Sequence, residues 1–156
     1  MGASTGRLRV DARFVADVSL PDGGLRRRCG LVWLDTGQLA GTRLAGPLRR
    51  FARLLTAQPR ADEDSGRPVL LVLTRTGYRA EAWLTAGRDL GQAAAGRVDM
   101  PIAGAVRGRL AVCVGTGPSQ LPLTGPVWRQ PHTSRPVRLT AVLGTTPGSA
   151  HGWDSE

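Results

Sequence analysis

Five consecutive apolar residues, Val69-Leu70-Leu71-Val72-Leu73, constrain the fold more than any other segment. The run has no polar alternation, and it mixes leucine with β-branched residues. A strand of that kind is covered on both faces, as in a sheet with layers packed above and below it. Leu110-Ala111-Val112-Cys113-Val114 reads the same way, and Leu31-Val32-Trp33-Leu34 closes an earlier apolar strand.

Other elements fall around these strands. From Leu8 to Ser19 the residues Val10, Ala12, Phe14, Ala16 and Val18 alternate, which predicts a strand with one apolar face. Pro21-Asp22-Gly23-Gly24 is turn chemistry, so Leu25 to Leu34 is expected to return as the second arm of a hairpin. Gly37 to Gly41 reads as a loop. Leu44, Leu48, Phe51, Leu54 and Leu55 then recur at the spacing of one helical face. Pro47 lacks a backbone donor, so this helix either starts near Gly46 or kinks there. Gln58 to Pro68 is a polar, acidic loop. Thr76-Gly77 leads into a short helix from Tyr78 to Leu84. The Gly- and Ala-rich stretch 85–103 gives no assignment. Gly125-Pro126-Val127-Trp128 reads as a short strand, and Val137 to Leu143 as a last strand or a short helix. The order is hairpin, helix, central strand, helix, strand and edge elements. It predicts an α/β domain over residues 8–144, built on a mixed β-sheet with flanking helices, with flexible termini at 1–7 and 145–156.

Composition narrows the chemistry. All 21 basic residues are arginine, lysine and asparagine are absent, and the net charge is +9. Such a bias fits a GC-rich coding sequence, which accounts for part of the arginine excess. The remainder is compatible with a nucleic-acid partner. Cys29 and Cys113 each sit beside an apolar run and read as free thiols of a reducing compartment. Residues 1–30 carry several arginines and no apolar core, so no signal peptide is expected. No apolar run reaches transmembrane length. The expectation is a cytoplasmic protein without a membrane partner. His132 and His151 have no partner at metal or catalytic spacing. There is no zinc spacing, no Walker loop and no nucleophile triad. Gly115-Thr116-Gly117 reads as a turn.

Several segments, taken in order, carry a family likeness. Arg9-Val10-Asp11 precedes the first strand and Leu34-Asp35-Thr36-Gly37 ends the second. The helix segment GPLRRFARLL follows, then RPVLLVLTRTGYRAEAWL, LAVCV and Gly125-Pro126-Val127-Trp128. Over about residues 8–143 this series resembles the C-terminal domain of the actinobacterial replication-relaxation family, whose members are linked to plasmid replication and plasmid DNA relaxation. The resemblance implies a restriction-endonuclease-like fold of the PD-(D/E)xK type. Family members read R-P-D, then F-x-E-x-D-x-G-T, then G-K-L-x-x-Y. In this chain Trp33 stands at the glutamate position and Pro47 at the lysine position, while Asp35 and Gly37 are kept and Phe51 takes the tyrosine position. The winged-helix DNA-binding region of full-length members is not expected within these 156 residues.

A metal-dependent nuclease needs at least two carboxylates converging on Mg²⁺ and a cation to steady the developing charge. Asp11 and Asp35 would be the vestige of that pair. Trp33 cannot ligate a metal and Pro47 carries no charge. The expectation is a degenerate site with no catalytic residues, no resident metal and no cofactor, with Mg²⁺ relevant only to a residual nuclease. Asp35-Thr36-Gly37 equally reads as turn chemistry after a strand, and Asp11 as a turn cap.

Arg26, Arg27 and Arg28 form a basic run near the hairpin turn, and Arg43, Arg49, Arg50 and Arg53 stud the first helix. They read either as a solvated surface or as a phosphate-tracking patch. Trp33, Trp83 and Trp128 read as core residues rather than base-stacking platforms. Two functions are therefore expected. One is a catalytically degenerate DNA-binding or nucleoprotein-assembly accessory on a plasmid or mobile element. The alternative is a protein–protein interaction module of a larger assembly without DNA contact. Arginines gathered on one carboxylate-free face favour the first. Arginines scattered, or paired with Asp62, Glu63 and Asp64, favour the second.

Overall fold

The computed structural model describes residues 8–19, 22–57, 68–95, 106, 108–115 and 125–144. Four strands form one mixed sheet in the order β1 (Ala12–Ser19), β2 (Leu25–Asp35), β3 (Val69–Thr74), β4 (Leu110–Val114). β1 and β2 are an antiparallel hairpin with Ala12 opposite Val32 and Ser19 opposite Leu25. At its turn the Asp22 carboxylate accepts a hydrogen bond from the Gly24 N–H at 2.9 Å. β2, β3 and β4 run parallel to one another. Parallel neighbours need crossovers, and α1 (Ala45–Ala57) and α2 (Gly77–Ala95) lie in them. The coarse α/β expectation holds: a mixed sheet with flanking helices.

Strand alternation sends the core to both faces. Leu31, Leu70, Val72, Leu110 and Val112 pack against Leu44, Leu48, Phe51 and Leu55 around α1 and against Ala80, Trp83 and Leu84 of α2. Val32, Val69, Leu71, Leu73, Ala111 and Cys113 face the other way, onto Trp128 and the short helix α3 (Leu139–Gly144). Every residue of β3 is buried, the double covering that its unbroken apolar run requires. Phe14 crosses the second face over Gly30. A Cβ at Gly30 would overlap its ring, so glycine is the residue that lets β1 and β2 pair with an aromatic at this position.

Three local readings are refined. Pro47 is the third residue of α1, inside the first turn, where its missing N–H costs no helical hydrogen bond. α2 is far longer than a Tyr78–Leu84 helix. It runs through Gly87 to Ala95 and takes in part of the stretch left unassigned. Gly87 reads locally as a breaker, but a Cβ there would press on Leu110 and Pro131 at 2.9 Å, so close packing selects it. The Gly125–Trp128 segment ends in isolated bridges instead of a strand: Trp128 pairs with Val137, and the next residue, Arg129, with Val112 at the β4 edge. Val137 thus belongs to a bridge and 139–144 to a helix. The expected loop at Gln58–Pro68 falls almost wholly outside the described residues, as do the two termini.

Candidate functional site

The parallel strands end, at their C-terminal side, on Asp35 of β2 and its register partner Thr74 of β3. That is the end of an α/β sheet where ligand sites collect. Thr76 follows at once and caps α2: its hydroxyl accepts the Arg79 N–H at 3.3 Å, and its carbonyl accepts the Ala80 N–H at 3.1 Å. The cap fixes the first turn of α2 beside the end of β2. Arg79 and Trp83, four residues apart and so on one helical face, then converge on Asp35.

Asp35 is saturated. Its Oδ1 accepts from the Gly37 N–H at 2.9 Å and from Arg79 Nη2 at 2.8 Å. Its Oδ2 accepts from Arg79 Nε at 2.7 Å and from Trp83 Nε1 at 3.0 Å. A carboxylate offers about four lone-pair directions, and four donors fill them. The carboxylate side chain is 3% exposed. Burial pushes its pKa up, but the hydrogen bonds from Arg79, Gly37 and Trp83, together with the Arg79 charge, outweigh burial and hold it below the ordinary carboxylate value. The hydrogen bonds to Asp35, together with its charge, raise Arg79 above the ordinary arginine value despite burial. Trp33, at the expected glutamate position, meets Trp83 edge to face, with ring centroids 5.6 Å apart and planes at 62°. Gly37 supplies the turn that returns an N–H to Asp35, at φ +80°, a conformation glycine adopts without penalty.

Asp11 lies near but serves a different purpose. Its Oδ2 accepts the Leu34 N–H at 2.8 Å, while its own N–H donates to the Val32 carbonyl at 2.9 Å. The carboxylate thus extends the β1–β2 ladder beyond the end of β1. Asp11, Trp33, Asp35, Thr36 and Gln38 line one open hollow of about 390 Å³. The two acids therefore share a hollow. Asp35, however, presents its oxygens to Arg79 and Trp83. A cation entering here would have to displace a bidentate guanidinium. Among the described residues, no three His, Cys, Asp or Glu side chains gather as a metal-binding group.

The expected basic patch divides. Alternation along β2 places Arg26 and Arg28 on the α3 side of the sheet and Arg27 on the α1 side. Arg28 is only 2% exposed and its Nε donates to the Leu143 carbonyl at 2.9 Å, so it ties β2 to α3 and is not a surface contact. Arg27 pairs with Asp17 across the hairpin at 3.2 Å, both side chains exposed. The α1 arginines behave differently. Buried positions 48, 51, 52 and 55 leave an outer stripe that includes Arg49, Arg50 and Arg53, with Arg43 exposed in the 3-10 turn Gly41–Arg43 just before the helix. Arg49 borders an open groove of about 620 Å³ between α1 and α2, which also holds Glu81, Asp89 and the exposed ring of Tyr78. Glu81 in turn pairs with Arg129. Asp62, Glu63 and Asp64 lie outside the described residues. Among the described residues no helix is long and apolar enough to cross a membrane.

Sequence reasoning missed Arg79. The signal was present: a Thr-Gly helix start followed by Arg79 and Trp83 at positions i and i+4, directly after a buried strand. Comparisons with family models, with curated proteins and with solved structures find no match.

Proposed function

We propose that this chain is a catalytically inactive, replication-relaxation-like domain that holds DNA through its phosphates as an accessory on a plasmid or mobile element. In this reading the mixed sheet is a restriction-endonuclease-like core whose metal-binding carboxylate has been converted into a structural one. The ordered sequence motifs support the family part. The observation that carries the activity is the outer stripe of α1, Arg49, Arg50 and Arg53 with Arg43 beside it. Guanidinium groups on one helix face suit phosphate oxygens and are indifferent to base sequence. The saturation of Asp35 supports the absence of cleavage. A cation held there would lose either its ligand or the Arg79 pair.

The test is fluorescence anisotropy with a labelled random duplex across a salt series, with Mg²⁺ present and the DNA then run on a gel. Three or four phosphate contacts predict a log–log slope of about −3. The DNA should stay intact. Replacing Arg49, Arg50 and Arg53 together by glutamate should abolish binding while the fold persists. Absence of binding at low ionic strength overturns the reading. The alternative, a protein-interaction module, is favoured by the α1–α2 groove, which is lined by Arg49, Glu81 and Asp89 and by the exposed Tyr78.

A further inference from the structure

β1 is an edge strand, and the two edges of the sheet differ. At the β4 edge, Val112 and Arg129 exchange two hydrogen bonds of 2.8 Å each. At the β1 edge no described segment pairs with the outer side of the strand. An eight-residue edge with unpaired backbone groups is a template for another strand.

Its side chains specify which strand. On the α1 side of the sheet β1 presents Arg13, Val15 and Asp17, all exposed, with Val15 64% exposed despite being apolar and β-branched. Consider a second copy of β1 laid antiparallel against the first. Opposed residues must point to the same face, so a two-fold axis can pass only through a residue, never between two. With the axis at Val15, Arg13 stands opposite the second copy's Asp17, and Asp17 opposite its Arg13. The two Val15 side chains meet at the centre. On the other face, half-buried Phe14 stands opposite Ala16, a large residue against a small one. Moving the axis to Phe14 sets Asp17 against Asp11, and moving it to Ala16 sets Asp17 against Val15 and Arg13 against Ser19. Of these three registers, only the one about Val15 satisfies both charges and buries the exposed valine.

We infer that this protein forms a homodimer in which two β1 edges pair antiparallel about Val15, joining two four-stranded sheets into one of eight strands. The two-fold axis stands perpendicular to the sheet, so both α1 helices lie on the same side of it. The inference does not depend on DNA binding and can fail or hold separately from it.

Sedimentation velocity of the full chain over a concentration series tests it. The wild-type protein should be a dimer. Arg13→Asp leaves the Asp17–Arg27 pair in place but sets like charges opposite each other twice, and should weaken the dimer roughly tenfold or more. Asp17→Arg should do the same. The double variant carrying both changes restores opposite charges in the same register and should recover the dimer. Val15→Lys, at an exposed site on the axis, should yield a monomer with an unchanged circular-dichroism spectrum, and it carries the test if a charge reversal disturbs folding. A wild-type monomer at about 100 µM, well above the Kd expected of a specific dimer, overturns the inference. So does a dimer indifferent to Arg13→Asp and Val15→Lys, or a double variant that stays monomeric.

Discussion

Asp35 ties the end of its own strand and the adjoining Gly37 turn to the first two turns of α2, which are distant in sequence. Removing one partner of a buried pair leaves the other charge uncompensated. Asp35→Ala should therefore cost about 3 kcal/mol in urea unfolding, at the lower end for such pairs because Arg79 retains some contact with solvent. The pH dependence has a definite sign. The folded carboxyl titrates below its ordinary value of 3.8, so its stabilisation is complete above that pH and is lost as pH falls through the folded pKa. The stability gap between wild type and Asp35→Asn should thus be constant at neutral pH and shrink only below about pH 3.8. A gap that instead narrows between pH 6 and 8 would contradict the assignment. The Asp35-Thr36-Gly37 turn was legible in the sequence, because an Asp two residues before a Gly hydrogen-bonds its own backbone. The partner was not legible, since Arg79 lies 44 positions away and only the packing of α2 brings it close.

At the scale of the element, α1 separates stability from surface chemistry. Phe51 is fully buried against the sheet, while Arg50 points outward. Phe51→Ala should cost about 3–5 kcal/mol in urea or thermal unfolding, whereas Arg50→Ala should change stability by no more than about 0.5 kcal/mol. Equal losses at the two positions would mean that the helix is not seated as described. The amphipathic period announced this helix and its buried face. It did not announce the length of α2, because glycine at position 87 lowers local helix propensity while Leu110 and Pro131 demand a residue without a side chain there. The Arg26–Arg28 run likewise looked like a patch. In a strand, three consecutive residues cannot share a face, and the α3 layer buries the third.

For the whole molecule, the sheet is a barrier between two cores. Cys29 packs on the α1–α2 side and Cys113 on the α3 side, and both thiols are free. Burial pushes the Cys113 thiol pKa up, which suppresses its reactive thiolate. Mild oxidation should leave no intramolecular disulfide. Mass spectrometry after brief alkylation should find Cys113 unmodified in the native protein and modified once urea unfolds it. Rapid native labelling of Cys113 would show that the α3 layer opens readily.

By itself the sequence determined the elements whose signal is local and periodic. These are the hairpin with its Asp-Gly-Gly turn, the apolar face of α1, and β3 and β4 as doubly covered strands. These follow from hydrophobic period and turn stereochemistry, which neighbouring residues set among themselves. Tertiary structure alone decided what each polar group does. It gave Asp35 to Arg79 and Trp83, turned Asp11 to the Leu34 N–H, sank Arg28 against α3 and left the α1 arginines outside. It also left the outer edge of β1 without a pairing strand among the described residues. Charged side chains and backbone donors take their partners from whatever the packed layers bring within about 3 Å, and residue spacing along the chain does not encode that distance.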